Sequence, residues 1–279
     1  MNRELMTQQL NGYLQDLREK ERSEQTIRQY QRDIAAFLDE AGEKPLDKAL
    51  VIWYKKELGE KYSPVSVNTK LAAINGFFNY LERNDLRVRQ LRIQKKAYCN
   101  SGRELTRREY LALVNTAKKM KNEKLAMLLQ TICGTGIRVS ELQYITVESI
   151  RCGEAVIQMK GKTRTILIAG KLRKQLIRYI KREGIHTGPV FITRNKRPMD
   201  RSNIWKMLKR LCGKAGVNRQ KVFPHNLRHL FAKCFYTLDK DIAKLADILG
   251  HTSINTTRIY IMGSGLEHSR KMDRLGLVI

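Results

Sequence analysis

Apolar positions in this chain recur mostly at helical spacing. Glu4–Leu17, Thr26–Leu38 and Val65–Leu81 each place apolar side chains three and four apart, and each predicts an amphipathic helix. Ahead of the third, Ser63 is placed to cap the helix and Pro64 to fill its first position. The period then fails in LRVRQLRIQKKAYCNSGREL, which turns basic, so a linker is expected around Lys95–Arg103. Thr106 and Glu109 form a capping box that opens the next helix. AVIQM and TILI, short apolar runs either side of a lysine-glycine turn, predict a β-hairpin, and PVFIT predicts a short strand. The expected fold is mainly α: a helical domain over 1–97, a linker over 98–103, and a mixed α domain with a small β-hairpin sheet over 104–279. With 279 residues and 42% of them apolar, two modest cores can be buried. No internal repeat or low-complexity tract is visible.

Charge changes the picture. The formal net charge is +27, and it is unevenly placed. Residues 1–100 hold 18 basic against 14 acidic side chains, and the remainder holds 36 against 13. From Lys160 to Lys221 there are 19 basic residues, opposed only by Glu183 and Asp200. A solvated face normally interleaves the two signs, so this asymmetry points to a polyanionic partner that is tracked along its phosphates.

Six residues form one chemical set: Arg138, Lys160, His225, Arg228, His251 and Tyr260. They suit attack by a phenol on a phosphodiester. Guanidinium forks match the phosphate oxygens that gain charge in the transition state. A tyrosine titrates near ~10, so it needs a cationic pocket or a neighbouring base to act as a nucleophile. The leaving oxygen needs a proton, which a lysine in a crowded cationic site can give. Local contexts agree. His225 and Arg228 follow Pro224 at helical spacing and share a face. Lys160 sits at the tip of the hairpin. Arg138 follows CGTGI, whose two glycines are expected to break the preceding helix. Taken singly, each residue has a plainer reading: Arg138 pairing with Glu141, His251 capping the helix before it, or the lysines as turn solubilisers. All of these would have to hold at once.

With these motifs in order, the chain resembles the tyrosine recombinases of the phage-integrase family. GTGIRVSEL matches the box with the family's first arginine, at Arg138; MKGKTR resembles its lysine hairpin, at Lys160 rather than Lys162. PHNLRH matches the His-x-x-Arg box, LGH the histidine box, and the tyrosine of IY the nucleophile. Agreement runs over about residues 104–262, and 1–97 looks more loosely like the family's SAM-like core-binding domain.

The resemblance implies a two-domain DNA clamp acting as a site-specific recombinase. Tyr260 would attack the scissile phosphate to give a 3′-phosphotyrosine link and a free 5′-hydroxyl. Arg138, Arg228 and His251 would hold the phosphate, His225 would take the phenolic proton, and Lys160 would protonate the leaving oxygen. It further implies a homotetramer on paired double-stranded sites that works through a Holliday junction, with accessory proteins as possible additions. No cofactor or metal is expected, since neither a Walker motif nor an acidic two-metal cluster is evident. The chain shows no additional N-terminal arm-binding domain, which places it nearer Xer-like or simple transposon enzymes. Two other classes remain: a type IB topoisomerase with the same chemistry, and a DNA-binding regulator that does not cut.

The five cysteines lack zinc-like pairing, so reduced thiols in a cytoplasmic protein are expected, with Cys133 and Cys234 in the core. No apolar run is long enough to span a membrane, and MNRELMTQQL has no signal-peptide character. After Tyr260, Leu266, Met272, Leu275, Leu277 and Val278 follow a glycine joint and require a partner surface, in the same protomer or a neighbouring one.

Overall fold

The computed structural model describes residues 3–42, 44–94, 101–159, 162–262 and 272–275. The chain divides into two compact units, Met1–Lys95 and Lys96–Ile279.

Among the described residues the first unit has four α-helices: α1 (Arg3–Glu19), α2 (Glu24–Ala41), α3 (Lys48–Lys61) and α4 (Pro64–Tyr80). Ser23, Asp47 and Ser63 cap α2, α3 and α4 by accepting from the backbone N–H three residues on. Each cap contributes about 1 kcal/mol. Ile34, Phe37, Leu71, Ile74 and Phe78 fill the core, and Phe37 meets Phe78 edge to face at 5.8 Å. Two asparagines one stretch apart on α4 hold the extended chain that follows. Asn75 exchanges both bonds with Val88 (2.8 and 3.0 Å), and Asn68 does the same with Leu91 (2.9 and 2.7 Å). The side-chain amides thus replace the missing strand partner for a segment that has none.

The second unit carries α5 (Arg107–Lys119), α6 (Glu123–Thr135), α7 (Val147–Cys152), β1 (Glu154–Met159) and β2 (Lys162–Leu167). They are followed by α8 (Gly170–Arg182), α9 (Arg201–Ala215), α10 (Pro224–Asp239), α11 (Ile242–Leu249) and α12 (Ile254–Ile261). The Thr106–Glu109 capping box opens α5 as the sequence predicts. β1 and β2 pair antiparallel, from Glu154 opposite Leu167 to Met159 opposite Lys162. Ala155, Ile157 and Ile166 face the core, while Val156 and Leu167 face solvent. The main core gathers α5, α6, α8 and α9 around Leu128, Ile132, Leu176 and Leu208. A smaller cluster of Ala232, Leu245, Leu249 and Tyr260 joins α10, α11 and α12.

Several expectations need correction. PVFIT does not form a strand: Val190 and Phe191 are buried, but the segment makes only isolated bridges, Thr146 with Pro189 and Ile192 with Pro198. Prolines on both sides lack an N–H, and the chain doubles back at once, with Thr193 N–H donating to the Arg197 carbonyl. Gly134 lies inside α6; Gly136 alone ends it, in the left-handed region at φ 63°. A Cβ at Gly136 would sit 2.5 Å from the Phe231 ring. Cys234 is exposed, because the buried face of α10 runs through Leu227, Leu230 and Ala232 instead. Cys133 is half-buried, and burial pushes its thiol up to about 12. Lys160, Cys99 and most of the tail lie outside the described residues; Met272 and Leu275 within the tail are exposed. No helix among the described residues is long and apolar enough to cross a membrane.

Candidate active site

Five of the six predicted residues meet where α6, α10, α11 and α12 converge. Arg228 is the most enclosed, at 2% exposed on the first turns of α10. Pro224 presets that helix start, and Asn226 anchors it by donating to the carbonyls of Arg103 and Lys221, both at 2.7 Å. The Arg228 fork is aimed by backbone: Nη1 donates to the Gly136 carbonyl and Nη2 to the Leu249 carbonyl, each at 2.6 Å. Those carbonyls lie in the left-handed turns that end α6 and α11. Burial and the adjacent Arg138 push the Arg228 pKa down to about 10, while Tyr260 close beside it favours the charged form. It remains a cation at neutral pH.

Nη2 of Arg228 also donates to His251 Nε2 at 2.9 Å. An arginine only donates, so Nε2 is the acceptor and the proton sits on Nδ1, which faces Thr257 Oγ1 at 2.8 Å. Burial, reinforced by Arg228, Arg138 and Arg164, lowers the His251 pKa to about 4. The ring is therefore neutral and orients Arg228. Gly250, not His251, ends α11, at φ 62°.

Arg138 caps a short 3₁₀ turn, Val139–Tyr144. Its backbone N–H and Nη1 donate to Glu141 at 2.8 and 3.0 Å, and Nη2 donates to the Gly250 carbonyl at 3.1 Å. The pairing with Glu141 and the place beside Arg228 thus coexist. The carboxylate is 4% exposed and also accepts from Arg164 Nη2 at 2.6 Å. Arg164, on β2, donates further to the Leu249 carbonyl. A Cβ at Gly250 would lie 2.5 Å from Arg164 Cδ, and its φ of 62° is one that side chains rarely adopt, so that turn favours glycine. Two guanidinium groups pair with one carboxylate and Arg228 lies close to both, which leaves a net positive centre suited to a phosphate.

Tyr260 is 5% exposed and lies among three imidazoles. Ring centroids are 5.3 Å to His225, 5.1 Å to His229 and 5.2 Å to His251. Burial, with Arg228, His229, Arg138 and Arg201 nearby, lowers the His225 pKa, so the ring is free to accept a proton at neutral pH. Among the described residues no group of three or more metal-ligating side chains converges.

Sequence reasoning passed over two members of this cluster and raised Glu141 only as a plain partner of Arg138. Arg164 lies in the hairpin motif, and His229 follows His225 by one helical turn. Spacing alone could have raised His229. Arg164 reaches the cluster only through the fold.

Residues 103–264 match the phage integrase family, and residues 10–85 match the N-terminal SAM-like domain of phage integrases. The chain belongs to the phage integrase family. It is 30% identical to tyrosine recombinase XerA of Pyrococcus furiosus over 267 residues, 92% of this chain and 90% of that protein. Identity to tyrosine recombinase XerD of Vibrio cholerae is 25%, over 85% of each chain. Among solved structures, a lambda integrase dimer bound to a COC′ core site superposes with a TM-score of 0.75 at 16% identity, covering 93% of this chain and 96% of that one. The Tn1549 transposon integrase in complex with circular intermediate DNA gives 0.71 at 17% identity, covering 96% and 99%. These two share the fold. As a member of the phage integrase family, the chain is a tyrosine recombinase, an enzyme of site-specific DNA recombination that breaks and rejoins strands.

Proposed function

We propose that Tyr260 is the nucleophile, attacking a phosphate of double-stranded DNA held by Arg138 and Arg228. The observation that carries this reading is the continuous contact from Arg228 through His251 to Tyr260, 2.9 Å and then 5.2 Å between ring centroids. As the P–O bond to Tyr260 forms, the bond to the 5′-oxygen breaks, giving a 3′-phosphotyrosine and a 5′-hydroxyl. His225 accepts the phenolic proton, and Lys160 supplies one to the leaving oxygen. The 5′-hydroxyl of a partner strand reverses the step. His251 contributes by aiming Arg228 and, once a phosphate enters, by presenting its ring to that phosphate.

In this reading residues 1–97 are the core-binding domain, 98–103 the linker and 104–279 the catalytic domain. The working unit is a homotetramer on paired sites, in the cytoplasm. The surplus of basic residues after residue 100 supports DNA as the partner. The test has two steps. DNA trapped covalently on the protein is sequenced to recover its site, and a nicked suicide duplex carrying that site is offered to the wild type and to Tyr260→Phe. The wild type should form a 3′ adduct, and the variant should bind with nearly unchanged affinity yet form none. Adduct in the variant would move the nucleophile elsewhere.

A further inference from the structure

Beside the arginine cluster lies an open cleft of about 380 Å³. One wall is the site already described, with Arg138, His225 and Arg228. The other is α9, which contributes Arg201 and Trp205. No carboxylate lines the cleft among the described residues.

Arg201 and Trp205 are one helical turn apart, along the flank of the stripe through which Ile204 and Leu208 bury α9. Neither is needed for that burial: Arg201 is exposed and Trp205 is 47% exposed. The next turn adds Lys209, whose ammonium stands 5.4 Å from the Trp205 ring centroid. A large indole left half in water between two cations has the make-up of a surface that follows a nucleic-acid strand, with aromatic faces for sugar and base and guanidinium forks for phosphate. Arg201 is also near enough to His225 to disfavour its imidazolium form, which places it on the same side of the cluster.

We propose that Arg201 and Trp205 seat the nucleotide adjoining the scissile phosphate, Arg201 binding its phosphate and Trp205 packing on its deoxyribose. Both are positioning residues. They fix the strand so that the scissile phosphorus stands where the Tyr260 oxygen and the Arg138–Arg228 pair converge. A misplacement of about 1 Å costs on the order of 10²-fold in rate, so a strand held only at the reacting phosphate would be slow to react. The proposal rests on the roles assigned above to Tyr260 and Arg228.

The test uses the full chain and the nicked duplex built from its own site. Trp53→Phe leaves Trp205 as the single tryptophan of the two in the sequence. Its emission should change when the duplex is added. In single-turnover cleavage, Arg201→Ala should slow adduct formation by about 10–100-fold while affinity changes much less. Trp205→Ala should do the same, and Trp205→Phe should restore most of the rate. A neutral methylphosphonate is then placed singly at each phosphate flanking the scissile one. At one of these, the Arg201→Ala effect should vanish, because substitution and neutral phosphate remove the same contact. Additive effects at every flanking phosphate, or Trp205 emission indifferent to DNA, would overturn the proposal. Failure of the underlying reading shows separately, as cleavage that survives Arg228→Ala, and it would overturn the proposal as well.

Discussion

The imidazole of His229 lies face to face with the phenol of Tyr260, centroids 5.1 Å apart and planes 29° from parallel. Burial lowers the His229 pKa, while Glu104 and the backbone carbonyl of Ile259, the residue before the nucleophile, favour its charged form. The ring thus braces the tyrosine and the helix that carries it. His229→Phe keeps the stacked face and His229→Ala keeps neither contact. The alanine variant should melt lower and form adduct more slowly than wild type, and phenylalanine should recover most of the melting temperature. Thermal melts and suicide-duplex cleavage of the two variants check this.

Arg228→Ala should damage the protein twice. Removing the guanidinium takes the side-chain donor from the Gly136 carbonyl, at a cost of about 1–3 kcal/mol, and leaves the Leu249 carbonyl with Arg164 alone. It also removes the fork that stabilises charge in the transition state. Arg228→Lys restores a charge without the bidentate geometry, so stability should recover further than cleavage. Chemical denaturation and single-turnover cleavage, measured on both variants, separate the two effects.

His251 makes stability depend on pH. Its pKa falls from the ordinary 6.5 to about 4, because burial and the arginines disfavour its charged form. Between those values the unfolded chain binds the additional proton, so stability rises with pH across that window. The contribution is complete above pH ~6.5 and is lost as pH falls toward ~4. Melting temperature should drop on acidification from pH 7.5 to 5, and less so in His251→Gln. Some drop should remain, because burial depresses His225 and His229 in the same direction.

Lys160→Ala should slow cleavage by about 10²–10⁴, the range for loss of a proton donor. A duplex with sulfur at the bridging 5′ position has a leaving group that needs no proton, and it should return most of the rate. If the sulfur substrate is equally slow with the variant, Lys160 serves groove contact and Lys162 becomes the donor to examine.

Local chemistry made much of the fold legible. Ser63, Pro64, Thr106, Glu109 and Pro224 mark helix starts through backbone hydrogen bonds and a fixed φ, and all lie at the starts observed. The hairpin followed from two short apolar runs about a tight turn. α3 was not legible, because its buried residues Leu50, Val51, Tyr54 and Leu58 are mixed with Ile52, which is 54% exposed, so its apolar face has no clean period. The site shows the same division. Arg138, His225, Arg228, His251 and Tyr260 stand in recognisable local motifs, and the fold brings them together. Arg164 belongs with them only because β2 passes the turn that ends α11, a tertiary fact with no local signature.

Gly250→Ala tests how tightly that turn is held. The added methyl would press on Arg164 at a backbone conformation that alanine adopts poorly. Moving Arg164 displaces its contacts to Glu141 and Leu249, and the Leu249 carbonyl also orients Arg228. Cleavage should fall well beyond any loss of DNA affinity, measured as single-turnover rate against equilibrium binding.

The pairing of Glu141 with both Arg138 and Arg164, close to Arg228, has a further effect, on the solution around the protein. A concave centre with surplus positive charge attracts small anions from the electrolyte, and an incoming DNA phosphate must displace them. The centre then behaves as an anion exchanger, and part of the free energy of engaging the strand is the entropy of the ions released. Two buffers of equal ionic strength, one of chloride and one of sulfate or phosphate, are thus chemically different media for this enzyme.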